Sequence, residues 1–164
     1  MNLYNLFLLI KEELIVVGVA TLPIFELRGS IPLGVSLNLS LYKVYFLSIL
    51  GNILPVLPLL LFFKFFFHKL EKIKFVGIFF SWWFRRVEKR SDVVKKWGFW
   101  GLVLLVAIPL PVTGAWTGTV AANLFELKIK KSFFAILTGI LIAGLIVSLV
   151  VKGVFGLEIF IKSF

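Results

Sequence analysis

An apolar run over residues 14–37 is interrupted by two charged residues, Glu26 and Arg28. A charged side chain near the centre of a bilayer costs about 2.5–3.5 kcal/mol on insertion scales, so charges within spans are rare and usually functional. Pro23 and Pro32 lie on either side of the charged pair, and each removes a backbone hydrogen-bond donor. The sequence therefore predicts that the helix breaks inside this run.

Two apolar arms flank the charged pair, and each is too short to cross a membrane. They cover residues 14–22 and 31–37, whereas a transmembrane helix needs about 20 residues. Broken backbone at membrane depth is tolerated where it is buried in protein or lines a wet cavity. We therefore predict a re-entrant hairpin with a polar tip at residues 26–29, in which Gly29 further weakens the helix. The alternative is one kinked transmembrane helix with a buried ion pair.

Composition sets the class of protein. Of the 164 residues 60% are hydrophobic, and mean hydropathy is +1.06, which predicts a single membrane domain over residues 1–164. The net charge is +10, and the basic residues cluster beside apolar segments, so anionic lipid is the expected partner and nucleic acid is not. The chain contains no cysteine, which excludes disulfides, thiolate metal sites and a cysteine nucleophile.

A basic connector over residues 68–98 separates two halves of the chain. Within residues 64–96 there are ten lysines and arginines against three acidic residues, so the positive-inside rule predicts that the connector is cytoplasmic. Trp82 and Trp83 next to Arg85 are typical of an amphipathic helix in the lipid headgroup layer. The expected location is the cell (inner) membrane of a prokaryote.

Further helices are predicted on both sides of the connector. A short interfacial helix should cover residues 1–13, and a transmembrane helix kinked by prolines should run from about residue 41 to 67. Asn52 lies inside that span, where it either bonds a neighbouring helix or lines a substrate path. A second span is expected over about residues 133–151. Asn123 and Glu126 have the spacing of a helix N-cap with its reciprocal partner.

A second break resembles the first in layout. An apolar arm meets a tip rich in proline, glycine and threonine, and a small-residue arm follows. The tip contains Pro109, Pro111, Thr113, Gly114 and Trp116. The second half therefore also reads as a hairpin followed by a span.

The two halves, residues 14–67 and 99–153, match at a nearly constant spacing. Pro23 precedes Pro109 by 86 positions, and Gly51 precedes Gly139 by 88. With the connector inside, the two halves have opposite orientations, which is the inverted-repeat plan of many secondary transporters. The fold prediction is an all-α integral membrane protein with this inverted repeat and an interfacial basic connector. Chance similarity of two apolar stretches is the alternative.

Two motifs carry a family resemblance. Residues 26–34 (ELRGSIPLG), followed downstream by residues 109–118 (PLPVTGAWTG), resemble the small multidrug export protein family, which is similar in plan to the DedA superfamily. The family name implies drug export. The DedA-like relatives imply proton-linked movement of a lipid carrier such as undecaprenyl phosphate, or lipid scrambling.

The functional prediction is a small proton-linked transporter that moves an amphipathic or lipid-phosphate substrate through a site formed by both hairpins. The alternatives are a lipid scramblase and a non-transporting scaffold. Expected partners are membrane lipids, the anionic or amphipathic substrate, protons and a second copy of the chain. No catalytic residue, cofactor or metal is expected. The candidate substrate- and proton-binding residues are Glu26, Arg28, Gly29, Pro32, Asn52, Pro109, Pro111, Thr113, Gly114 and Trp116.

Overall fold

The fold is helical throughout the part of the chain that the computed structural model describes, residues 3–70, 87, 92–109 and 113–162. No strand occurs among these residues, so the all-α prediction is confirmed for them. The helices are α1 (Leu3–Thr21), α2 (Glu26–Ser36), α3 (Leu41–Ile53), α4 (Val56–Leu70), α5 (Asp92–Trp97), α6 (Phe99–Ala107), α7 (Ala115–Leu124) and α8 (Ile129–Lys162).

Two segments are long and apolar enough to cross a membrane, judged by length and composition: Leu41–Phe65 and Ile129–Val154. They coincide with the two predicted spans. The first contains a break between α3 and α4 at Leu54 and Pro55, as expected because proline cannot donate the helical hydrogen bond.

Packing divides the chain into two compact units. The first unit comprises Met1–Asn52 with Leu141–Phe164, and the second comprises Ile53–Ile140. Each is described by itself below.

In the first unit, α1 and α2 pack against each other and α3 packs on both. Gly34 lies where a Cβ atom would come within 2.6 Å of Val44 Cγ1 and 3.0 Å of Val16 Cγ2. Gly51 lies directly against the backbone carbonyl of Val17. Such contacts need glycine because no side chain fits between the helices. The first three helices therefore touch at close range.

The polar tip predicted at residues 26–29 is misplaced. The chain turns at residues 22–25, all of which are exposed, and Glu26 begins α2. A carboxylate is stabilised by the positive end of the helix macrodipole, so Glu26 favours the first turn of a helix over a loop. The tip of this helix pair is thus apolar, and the charged residues stand beside it within α2.

In the second unit, α6 and α7 pack against each other, α5 packs on α6, and α4 packs on α7. Gly101 lies against the backbone carbonyl of Val93. The core contains Leu102, Val120 and Ile136, all fully buried. This unit too contains a pair of consecutive helices, α6 and α7, that pack against each other.

Helix α2 ends in a Schellman motif. Asn38 has φ 61°, its N–H donates to the Val35 carbonyl at 3.0 Å, and the Leu39 N–H donates to the Gly34 carbonyl at 3.1 Å. This pattern closes a helix with a left-handed residue, a position that asparagine tolerates better than most residues.

Helix α7 ends in the same motif 88 positions later. Glu126 has φ 52°, its N–H donates to the Asn123 carbonyl at 3.1 Å, and the Leu127 N–H donates to the Ala122 carbonyl at 2.9 Å. The predicted N-cap at Asn123 and Glu126 is therefore wrong. The two residues close α7, and α8 begins at Ile129.

The predicted connector over residues 68–98 lies largely outside the described residues. Of its length the structure describes the end of α4, Val87 and the segment from Asp92 onward, which forms α5. The domain boundaries at residues 67, 98 and 153 stay predictions.

Candidate functional site

Glu26 combines burial with an unusual backbone conformation. The residue is 5% exposed and has φ 47° at the first position of α2. A non-glycine residue held in this region costs on the order of 1–3 kcal/mol, and such strain clusters at functional sites. Burial of the carboxylate adds a further cost unless it is paired.

Arg28 supplies a charge partner for this carboxylate. Its Nη2 atom lies 3.8 Å from Glu26 Oε2, at the long end of ion-pair distances. The Arg28 side chain is 29% exposed, whereas that of Glu26 is 7% exposed. The guanidinium therefore contacts the buried carboxylate and also has access to the surroundings of the unit.

A buried hydrogen bond and a close glycine contact connect α2 with α3. Ser30 Oγ donates to Ser48 Oγ at 2.7 Å, and both serines are fully buried. One turn further along α2, Gly34 contacts Val44, one turn earlier on α3. The helices therefore run antiparallel with a four-residue step on each.

The same register extends in the other direction. One turn before Ser30 is Glu26, and one turn after Ser48 is Asn52, so the register places these two residues opposite each other. Both lie on buried faces, with Asn52 only 1% exposed. The two residues, at the N-terminal end of α2 and the C-terminal end of α3, are named the polar cluster.

The Asn52 side chain has an unpaired acceptor. Its Oδ1 atom is buried and has no hydrogen-bond partner among the described residues. Leaving a buried acceptor unsatisfied costs roughly 1–3 kcal/mol. An interhelical bond through this oxygen, one of the two roles expected for Asn52, is not formed there.

Gly29 and Pro32 shape α2 around the charged residues. A Cβ atom on Gly29 would come within 2.8 Å of Phe25 Cβ, so glycine lets the turn fold back against the helix. Pro32 lies inside α2 and lacks an N–H, so it cannot bond the carbonyl of Arg28 one turn earlier.

The second candidate tip lies in the second unit. Thr113 Oγ1 donates to the Ile108 carbonyl at 2.9 Å, and Gly114 is buried with φ 136°. Pro109 and Trp116 are half-buried on either side of this turn. Pro111 lies outside the described residues.

Close helix contacts recur at the repeat spacing. Gly51 lies against the Val17 carbonyl, with the Ala20 Cβ 2.7 Å from where its own Cβ would be. For Gly139 the same construction gives 3.0 Å to the Val103 carbonyl oxygen and 2.6 Å to the Val106 Cβ. Each glycine therefore meets two positions three residues apart on a helix of its own unit, α1 or α6, and these positions are separated by 86 residues between the two units.

The two units differ in polarity at matching positions. The polar residues on or beside the α2–α3 contact of the first unit include Glu26, Arg28, Ser30, Ser48 and Asn52. The residues 88 positions later are Gly114, Trp116, Gly118, Ile136 and Ile140. A Cβ atom on Gly118 would lie 3.4 Å from the Ile136 side chain, so an apolar contact stands where the serine pair stands in the first unit.

Sequence reasoning missed Ser30 and Ser48, because single serines in apolar helices carry no signal until the register of the two helices is known. Within the described ranges, no group of three or more histidine, cysteine, aspartate or glutamate residues could hold a metal ion.

Comparison with known proteins gives one match. A family model described as "Putative small multi-drug export protein" matches residues 26–146. The match begins at Glu26 and includes residues 26–34 and 109–118, the two motifs of the sequence resemblance. No curated protein and no solved structure matches the chain.

Proposed function

We propose a transport function from the premise that this chain belongs to the small multi-drug export protein family. The family description together with the two apolar segments makes it a membrane protein and points to a transporter rather than an enzyme. We propose specifically that it moves an amphipathic or lipid-phosphate substrate, such as an undecaprenyl-phosphate-like carrier, in exchange or together with protons.

One observation carries this proposal: a glutamate occupies a position where the backbone favours glycine. Glu26 has φ 47°, and the matching position in the second unit is Gly114, also at positive φ. Glycine reaches positive φ without steric cost, whereas glutamate does not. The macrodipole of α2 stabilises the carboxylate by about 0.3–1 kcal/mol, which is less than the strain of about 1–3 kcal/mol at this φ, so the presence of Glu26 indicates a role in function.

The second unit also argues against a merely structural ion pair. Its pair of short helices has the same C-terminal motif and the same glycine contact, yet neither Gly114 nor Trp116 carries a charge. A charged pair is therefore unnecessary for this local fold.

The proposed mechanism links a proton to an anionic group of the substrate. When Glu26 is ionised, it holds Arg28. When Glu26 takes up a proton, the attraction is lost and the Arg28 guanidinium can bind a phosphate oxygen pair through parallel N–H donors. Release of the proton on the other side restores the ion pair and expels the substrate.

The proposed arrangement in the membrane is an inverted repeat of two re-entrant hairpins, each followed by a span. It is supported by the recurrence of the helix-ending motif at a spacing of 88 and of the glycine contacts at spacings of 86 to 88. The basic connector would be cytoplasmic in the inner membrane of a prokaryote, and a second copy of the chain would complete the substrate pathway.

Cysteine labelling tests this topology in a chain without native cysteine. The ion pair between Glu13 and Lys43 brings the first turns of α3 beside α1, at the open end of the first hairpin. Lys11→Cys and Asn38→Cys, both at exposed positions, should therefore react with an impermeant maleimide from the outer side, and Lys95→Cys only from the inner side. Labelling of residues 11 and 38 from opposite sides would exclude the re-entrant hairpin.

Transport by the purified protein in liposomes tests the function itself. A polyprenyl phosphate and a cationic dye are compared side by side, with and without a pH gradient. We expect the pH gradient to accelerate movement of the lipid phosphate above that in protein-free vesicles. Equally fast movement in both directions without a gradient would identify a scramblase, and no movement of either compound would favour a scaffold.

A further inference from the structure

We infer that the polar cluster of Glu26 and Asn52 in the first unit is a binding site for a dehydrated monovalent metal cation, for which Na⁺ is the test ion. The inference deepens the proposed function, on which it rests for its role: the ion would couple to transport at the same carboxylate that the proton uses. Binding itself is a separate property and can be measured alone.

The first argument is the unpaired oxygen of Asn52. Asn52 Oδ1 is an acceptor only, it is buried, and no donor of the described residues reaches it. Its missing partner must be a hydrogen-bond donor or a cation. The register of α2 on α3 places the Glu26 carboxylate on the facing helix, so a second strong oxygen ligand stands opposite.

The second argument comes from a proline that leaves a backbone carbonyl without its usual helical partner. Pro55, at the break between α3 and α4, follows Gly51 by four positions. Proline has no N–H, so the carbonyl of Gly51 loses the hydrogen bond that a regular helix provides. Gly51 directly precedes Asn52 in the chain. Broken helices of this kind coordinate Na⁺ through their free carbonyls in secondary transporters.

The charge of the cluster favours an ion with a single positive charge. One carboxylate with neutral oxygen ligands balances a single positive charge. Ca²⁺ takes six to eight oxygen ligands, commonly from several carboxylates, and Mg²⁺ gives up its water reluctantly. Within the described residues no cluster of acidic side chains is present to meet that demand. A monovalent ion is therefore favoured over a divalent one.

Arg28 can couple cation binding to substrate binding. Its 3.8 Å contact with Glu26 is long and its side chain is partly exposed, so a cation at Glu26 can replace it. Arg28 is then available for an anionic group of the substrate. Na⁺ and H⁺ would thus compete for the Glu26 carboxylate, and binding of either would release Arg28 from it.

The test measures thermal unfolding of the full-length protein in detergent at constant ionic strength, with NaCl replaced stepwise by KCl or choline chloride. A ligand present at about 100 times its Kd raises the Tm by several degrees, and the rise continues with concentration. We expect this for Na⁺ in the wild-type protein. Asn52→Ile, which copies Ile140 of the second unit, should fold and lose the Na⁺ response. Asn123→Ile, the same substitution in the second unit, should keep it.

A Tm that is equal in all three salts would overturn the inference and would indicate that a buried water satisfies Asn52. Retention of the Na⁺ response by Asn52→Ile would overturn it as well. Liposome assays separate the two proposals. Substrate movement driven by a pH gradient but insensitive to Na⁺ leaves the transport function standing and rejects the coupling of Na⁺ to it. Na⁺-dependent stabilisation that requires Asn52, without movement of any substrate, supports the site and rejects the transport function.

Discussion

Glu26→Gln is expected to insert and fold while losing the response of transport to a pH gradient. Glutamine keeps the size and most of the hydrogen-bonding capacity of the side chain but cannot exchange a proton. Glutamine also removes a charge that is costly to bury, which offsets part of the lost pairing with Arg28. Substrate flux in liposomes, measured at several imposed pH gradients, checks the expectation. Normal pH-driven flux in this variant would show that Glu26 is not the proton site.

Glu26→Gly provides a matched variant taken from the chain itself, since Gly114 stands at the corresponding position of the second unit. Glycine relieves the strain at φ 47°. The variant should therefore stay within about 1 kcal/mol of the wild-type stability, although glycine raises the entropy of the unfolded chain. It should nevertheless be inactive. Loss of folding together with activity would instead give Glu26 a structural role.

Two changes at Arg28 complete this comparison. Arg28→Lys keeps the charge and loses the planar fork, so it should impair movement of a phosphate substrate more than that of a cationic dye. The swapped pair Glu26→Arg with Arg28→Glu keeps both charges and exchanges their positions. Full transport by the swapped protein would mean that the two residues only hold each other, and the proton mechanism would be wrong.

Helix content and the two spans could be predicted from the sequence because they depend on local properties. Long apolar segments in a membrane must satisfy their backbone internally, which leaves helices as the solution for this composition. Pro55 likewise marks the break between α3 and α4. Properties read from a window of about 20 residues were sufficient for these features.

Helix α1 shows why the end of a helix cannot always be predicted from neighbouring residues. The charged residues Lys11, Glu12 and Glu13 suggested the end of a short helix, yet α1 continues through them to Thr21. Glu13 forms an ion pair with Lys43, which is 30 positions away in sequence. This ion pair exists only when α3 packs against α1, so it could not be inferred from the residues around Glu13.

The candidate site could be predicted only in part, because contacts between residues distant in sequence define it. Glu26, Arg28 and Asn52 stood out because each is polar within an apolar segment. Their grouping depends on the α2–α3 register, which the Ser30–Ser48 hydrogen bond defines. The spacing of matching residues in the sequence predicted that the two halves correspond. Asn38 and Glu126, both at positive φ, occupy the same position of the helix-ending motif in their halves.

Gly51→Ala is expected to cause the largest loss of stability among single conservative changes in the first unit. A methyl group at this position would collide with the backbone carbonyl of Val17 and lie 2.7 Å from the Ala20 Cβ. A backbone atom cannot rotate away, so α1 and α3 would have to separate. Overpacking of this kind costs roughly 1–3 kcal/mol.

Gly139→Ala should have a similar effect in the second unit, where the new methyl group meets Val106 and the Val103 carbonyl. Gly18→Ala is the matched control: nothing lies within 4 Å of the new Cβ, and alanine favours the helix by about 1 kcal/mol over glycine. Denaturant unfolding of the three variants in one detergent measures the differences. If Gly51→Ala proves as stable as Gly18→Ala, α1 and α3 do not approach as closely as Gly51 requires, and the glycine contact shared by the two halves loses its significance.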